Sequence, residues 1–167
     1  MKFQFFYDYE CPYCKMGFEA LMNLLPAYPN LEIEWRPIES HPRPEQCRPH
    51  TDLCIQAYYI AEELGANMTT FHKAMFRAVA AERQNVEKGE VIADILKGIV
   101  DGRKFLEILK SGKYLSKVQE NNALAYDKYG VWYVPALRVP DSKSALDARG
   151  GVGLGQEEIK EFLQMLG

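Results

Sequence analysis

The run Phe3-Gln4-Phe5-Phe6-Tyr7-Asp8-Tyr9-Glu10 leads straight into Cys11-Pro12-Tyr13-Cys14, and this junction constrains the fold more than any other stretch of the chain. Aromatic residues fall on both faces of the run, so residues 2 to 8 suit a strand at the centre of a sheet, covered on both sides. The cysteines follow at a spacing that belongs to the first turn of a helix, where residues three apart are neighbours and two sulfurs can bridge. Pro12 fits the first helical position: its φ is already helical, and its missing N–H would have had no intrahelical partner. Cys11 then stands at the helix N-terminus, where unpaired backbone N–H groups and the positive end of the helix dipole favour a thiolate. Cys14 lies inside the helix. Cys11 is therefore the candidate nucleophile of disulfide exchange and Cys14 the resolving thiol. The rival reading of a Cys-x-x-Cys, half of a zinc site, sits less well with an apolar strand before the pair and a proline within it.

The rest of the chain can be placed around that junction. A helix over 12–25 is predicted from Phe18, Leu21, Met22 and Leu25 at helical spacing, and Pro26 stops it. Leu31-Glu32-Ile33-Glu34-Trp35-Arg36 alternates apolar and charged residues, which predicts a second strand ending near Pro37. A strand, helix, strand unit of this length implies parallel pairing with a right-handed crossover. Ser40 to Pro49 is proline-rich without an apolar period and reads as a linker. Helices are then predicted over 51–64, 69–86, 88–100 and 103–110, with Tyr58, Phe71, Met75 and Phe76 as core residues and His72 structural or exposed. A longer helix, 115–129, ends at Gly130. Beyond it come a strand from Val134 to Val139, an antiparallel strand from Ala145 to Arg149, a turn through Gly150-Gly151-Val152-Gly153, and a last helix over 156–166.

Strand, Cys-Pro-x-Cys and helix at one end, with Val134-Pro135-Ala136-Leu137 far downstream, resemble the DsbA-like branch of the thioredoxin superfamily, including its FrnE-type members. The resemblance spans nearly the whole chain. It implies an α/β class and a thioredoxin-like fold, a central mixed sheet flanked by helices. Residues 1–39 and 116–167 would build that domain, and residues 40–115 an all-helical insertion packed over the redox motif as a lid. It further implies a cis bond between Val134 and Pro135 beside the cysteines, with the backbone there pairing with an incoming peptide. Pro12, Tyr13, Val134 and Pro135 are thus the candidate substrate contacts. Two departures fall where substrate would lie: Tyr133 stands where many relatives have glycine, and Ala136-Leu137 replace a common Thr-Phe. Many relatives also carry a buried proton-relay acid six residues before the first cysteine, and here that position is Phe5. Asp8 matches an acid of FrnE-type members, and Glu10 adjoins Cys11. Both are candidate modulators of the thiols, although a nearby negative charge raises a thiol pKa, and two solvated acids at a strand end is the plainer alternative.

His41, Cys47, His50 and Cys54 fall within one short stretch and leave three readings open. Tetrahedral zinc is one, against which the prolines and irregular spacing count. A second redox pair, Cys47 with Cys54, is compatible with a DsbA-like protein, and two ordinary thiols is the simplest reading.

Composition narrows the function class. A net charge of −3 with interspersed signs offers no basic face for nucleic acid, and no run reaches the ~18 apolar residues of a membrane span. With 167 residues, 47% of them hydrophobic, a packed core needs no disulfide staple. A strand that begins almost at Met1, with no leader-like run before it, points to a soluble cytoplasmic protein. The expectation is an oxidoreductase that exchanges disulfides with protein or peptide thiols and with a thiol reductant or oxidant partner, requiring neither metal nor organic cofactor. Glutathione-dependent kappa-type transferases and 2-hydroxychromene-2-carboxylate isomerases share the helical insertion, but they usually carry serine at the first motif position, so the pair counts against them. A metal-binding or scaffolding module is the third reading.

Overall fold

The computed structural model describes residues 1–148 and 153–167. Four strands among these residues, β1 (Lys2–Tyr7), β2 (Glu32–Pro37), β3 (Ala136–Arg138) and β4 (Ala145–Asp147), form one sheet in the order β2-β1-β3-β4. β2 runs parallel to β1, β3 antiparallel to β1, and β4 antiparallel to β3. The mixed sheet therefore places the aromatic run at its centre. Side chains alternate across β1. Phe3, Phe5 and Tyr7, none of them exposed, enter the main core, while Phe6 turns to the other face against Ile38, Ala125, Val131 and Ala136.

The register brings the site together. Phe5 pairs with Leu137 and Phe6 with Ala136, so the N-terminal end of β3 meets the C-terminal end of β1, where the cysteines begin. On the main-core face lies α1 (Pro12–Leu24), followed in sequence by a short 3₁₀ turn at Leu25–Ala27 and then by β2. Between β2 and β3 the chain forms α2 (Asp52–Glu63), α3 (Met68–Phe76), α4 (Gly89–Ile95), α5 (Gly102–Ser111) and α6 (Leu115–Ala123), and no strand among the described residues. α7 (Gln156–Leu166) closes the chain, with Glu157 and Glu158 in its positive first turn. Tyr58, Phe71, Met75 and Phe76 join Phe5, Tyr7, Phe18 and Ile159 in one apolar cluster, so the helices between β2 and β3 share the core of the sheet. No helix among the described residues is long and apolar enough to cross a membrane.

Several elements are shorter than their sequence patterns predict. The helix expected to reach residue 86 runs through α3 into one π-helical turn, Arg77–Ala81, and stops. Arg83 then takes a left-handed backbone, φ 55°, unusual for a side-chain-bearing residue, which frees its guanidinium to donate to the Glu10 carbonyl oxygen at 3.0 Å. α4 ends at Ile95 rather than near residue 100, although Leu96 continues its buried stripe; the chain turns instead at Gly98, φ 81°. β3 starts at Ala136 rather than Val134, because Pro135 has no N–H to give the ladder and the Val134 carbonyl faces a cysteine instead. β4 is described to Asp147; Arg149 and the turn through Gly150, Gly151 and Val152 lie outside the described residues.

Candidate active site

Cys11 caps α1. Its backbone is extended (φ −82°, ψ 116°), its sulfur accepts the Cys14 N–H at 3.2 Å, and Pro12 follows at the first helical position. A thiolate here is stabilised by the Cys14 thiol, which donates to it, and by the Cys14 and Tyr13 amides; together they outweigh partial burial and hold the Cys11 pKa below that of an ordinary thiol. Cys14 is in the opposite state. It is fully buried, and burial first, then its role as donor to Cys11, push its pKa well above the ordinary value. One sulfur is thus set to be a thiolate and its neighbour to keep its proton.

Asp8 and Glu10 are not solvated acids. Asp8 is 1% exposed and accepts backbone N–H groups from Ser40 at 2.7 Å and Glu10 at 3.2 Å. Burial raises its pKa despite these bonds, and its negative charge raises Cys11, Cys14 and Cys54 alike. A buried carboxylate is therefore present, offset along β1 from the Phe5 position. Burial and then the Asp8 charge lift Glu10 to about 6.

Val134, Pro135, Pro12 and Tyr13 gather around Cys11. The Val134 carbonyl oxygen lies 3.9 Å from the Cys11 sulfur, and the Val134–Pro135 peptide bond is cis. Two glycines permit the close packing: a Cβ on Gly17 would sit 3.3 Å from Pro135 Cγ, and one on Gly153 would sit 2.7 Å from Tyr13 Cδ1. A cavity of about 780 Å³ opens beside Cys11, lined also by Glu10, His41, Cys47, Arg83, Trp132 and Tyr133. Its aromatic edge is open to solvent, with Tyr133 53% and Trp132 69% exposed, and Tyr13 on α1 is 44% exposed. Sequence reading missed Gly17, Arg83 and Trp132 as site residues; the only signal was Trp132 itself, a large aromatic in the loop before Pro135.

The His41, Cys47, His50, Cys54 stretch is divided. Cys54 is buried in the main core, whereas Cys47 is exposed at the cavity, and both are free thiols. His50 lies between the Glu87 carboxylate (Nδ1, 2.9 Å) and the Glu45 carbonyl oxygen (Nε2, 2.8 Å). Two acceptors require two N–H donors, so these contacts favour the imidazolium and raise its pKa, the Glu87 bond most. His72 is wholly buried among Trp35, Phe18, Tyr58 and Phe76, and desolvation lowers it to about 3.

Comparison with known proteins agrees with this geometry. Residues 2–166 match the family model described as DSBA-like thioredoxin domain. No curated protein sequence matches the chain. Among solved structures, a probable DsbA oxidoreductase from Streptomyces coelicolor is similar at 17% identity and TM-score 0.73, over 99% of this chain and 88% of that one. A putative protein disulfide isomerase from Nitrosomonas europaea superposes with TM-score 0.77 at 13% identity, over 98% and 96% of the two chains. The cytosolic disulfide reductase DsbM from Pseudomonas aeruginosa gives 0.71 at 13% identity, over 99% and 97%. At these identities the likeness is one of fold.

Proposed function

The chain belongs to the DSBA-like thioredoxin domain family, and from that premise we propose that it exchanges disulfides with protein or peptide thiols through Cys11 and Cys14. The observation that carries this reading is the asymmetry of the two sulfurs: the partly exposed one is favoured as thiolate, and the buried one holds its proton in hydrogen-bond contact with it.

In the reducing direction, the Cys11 thiolate attacks one sulfur of a substrate disulfide. The S–S bond breaks, a mixed disulfide forms, and the first substrate thiolate leaves and is protonated. Cys14 then loses its proton, for which the buried Asp8 carboxylate is the nearby acceptor proposed here, and attacks the Cys11 sulfur. The second substrate thiol departs and the Cys11–Cys14 disulfide remains, to be reduced by an external dithiol. Run backwards, with an oxidant renewing the disulfide, the same steps oxidise substrate.

An extended substrate would pass along Val134 and Pro135, with Pro12, Tyr13 and the aromatic edge gripping its side chains. In this reading residues 40–115 are the helical insertion covering one flank of the motif on a domain built from 1–39 and 116–167. The cytoplasm is the compartment proposed, in keeping with the cytosolic reductase among the structural neighbours. Rapid alkylation of the reduced protein tests the assignment: Cys11 should be labelled first, with a rate that titrates below the pH of an ordinary thiol. Faster labelling of Cys14 would reverse the roles.

A further inference from the structure

Folding breaks up the four-residue zinc pattern in the sequence and assembles a different set. Cys54 is lost to the core and His50 is committed to Glu87 and the Glu45 carbonyl. His41 and Cys47 remain, and the loop brings Glu45 between them. Ligating atoms of His41, Glu45 and Cys47 all lie within 4.8 Å of one another. The loop is braced for this: the Glu45 N–H donates to the Pro42 carbonyl at 3.0 Å, turning the chain so that His41 and Glu45 face each other, with Nδ1 and Oε2 2.9 Å apart. The His50 ring then pins the Glu45 carbonyl from behind. Arg43 and Arg48, the cations interleaved with the cluster in sequence, are paired elsewhere, with Asp52 and Glu87 respectively, each at 2.9 Å.

We propose that His41, Glu45 and Cys47 form a binding site for a divalent metal ion of the zinc type at the rim of the Cys11 cavity. A thiolate, an imidazole and a carboxylate together match zinc, which takes S, N and O donors tetrahedrally, better than magnesium or calcium, which take oxygen. Metal–ligand bonds of about 2.0–2.3 Å set ligand atoms roughly 3–4 Å apart, so these side chains need close in by only about 1 Å. Glu10 Oε1 lies 3.8 Å from His41 Nε2, the ring nitrogen away from Glu45, where it would orient the ring, and water completes the coordination as fourth ligand. Binding takes the proton from Cys47 and releases it to solvent. The ion would sit in the cavity through which substrate reaches Cys11, so occupancy should hinder exchange.

The test is zinc titration of the reduced, metal-free protein against a chromophoric chelator, with cobalt(II) as spectroscopic probe. The main competitor is the Cys11–Cys14 dithiol. A Cys11→Ser/Cys14→Ser double variant should still bind one zinc and show a thiolate-to-cobalt charge-transfer band. Cys47→Ser and His41→Ala, both changes at the surface, should each weaken binding at least tenfold with unchanged melting curves. At equal free zinc, disulfide exchange by the wild type should slow more than exchange by Cys47→Ser. Loss of stoichiometric zinc from the double variant, or equal inhibition of wild type and Cys47→Ser, would overturn the site and leave the metal on the catalytic dithiol.

Discussion

Cys11, beside the cavity, is set among hydrogen-bond donors, and His50, in the loop before α2, between two acceptors; in the aromatic layer of α2 and α3, Cys54 and His72 are enclosed by apolar atoms. The charged form is favoured in Cys11 and His50 and disfavoured in both core residues. The residue types are the same. What differs is whether folding supplies a partner for the charge, because desolvation alone always opposes it. The Tyr7, Tyr9 and His72 side chains show the core's solution. Tyr7 bonds Tyr9 at 3.0 Å and Tyr9 bonds His72 Nδ1 at 3.1 Å, a neutral chain that ends at a His72 Nε2 left without a partner.

That contrast can be broken most severely at the sulfurs. Cys11→Ser should abolish turnover of a peptide disulfide, whereas Cys14→Ser should still attack once and accumulate the mixed disulfide, detectable by intact-mass analysis. Asp8→Asn should leave the capture step fast and slow release of the second thiol. If it slowed capture instead, the carboxylate would be acting on Cys11.

A core truncation asks whether stability and chemistry are separable. Phe76 is 1% exposed and packs against Tyr7, Tyr9 and Phe18, so Phe76→Ala should cost ~3–5 kcal/mol in denaturant unfolding. Exchange per folded molecule should hold near the wild-type rate. A parallel fall in both would join the two regions into one functional unit.

Acid should find His72 next. The unfolded imidazole, at 6.5, binds a proton that the folded one, at about 3, does not. Stability from this group is therefore present above 6.5 and lost as pH falls toward 3, at up to ~1.4 kcal/mol per pH unit. Glu10 works in the opposite sense over a narrower window, 4.5 to about 6, where the folded protein holds the extra proton. Urea midpoints of the wild type should fall relative to those of His72→Phe as pH drops from 6.5 toward 3, because the variant has no imidazole to protonate on unfolding, and the two should run parallel above 6.5; parallel curves throughout would mean that the histidine titrates alike in the folded and unfolded chains.

The smallest effect on stability, and the sharpest on recognition, belongs to the aromatic edge. Trp132 is 69% exposed and stacks on Tyr126 with ring centroids 5.1 Å apart. Trp132→Ala should change stability by less than ~0.5 kcal/mol while raising KM for a peptide disulfide several-fold at constant kcat. An unchanged KM would remove Trp132 from the substrate path.

Residues close together in sequence account for most of what could be read in advance. The central strand, the helix opening at Pro12, the parallel β1–β2 pair and the closing helix all follow from local patterns, and the structure has them. The helix expected over 69–86 stopped at Ala81, just before Arg83, whose left-handed backbone serves a carbonyl seventy-three positions away. Trp132 and Gly17 were passed over for a similar reason: a loop aromatic and a helical glycine acquire meaning only from what packs beside them.

Periodicity and the Cys-Pro-Tyr-Cys spacing by themselves determined that a buried strand would deliver a cysteine pair to a helix N-terminus, because dipole, cap and spacing act within a few residues. Only the tertiary structure decided which acid is buried beneath that pair, which half of the His/Cys stretch reaches the cavity, and that Val134 faces Cys11. Those outcomes depend on desolvation and on contacts between distant segments, and a side chain's neighbours across the core are not written in its neighbours along the chain.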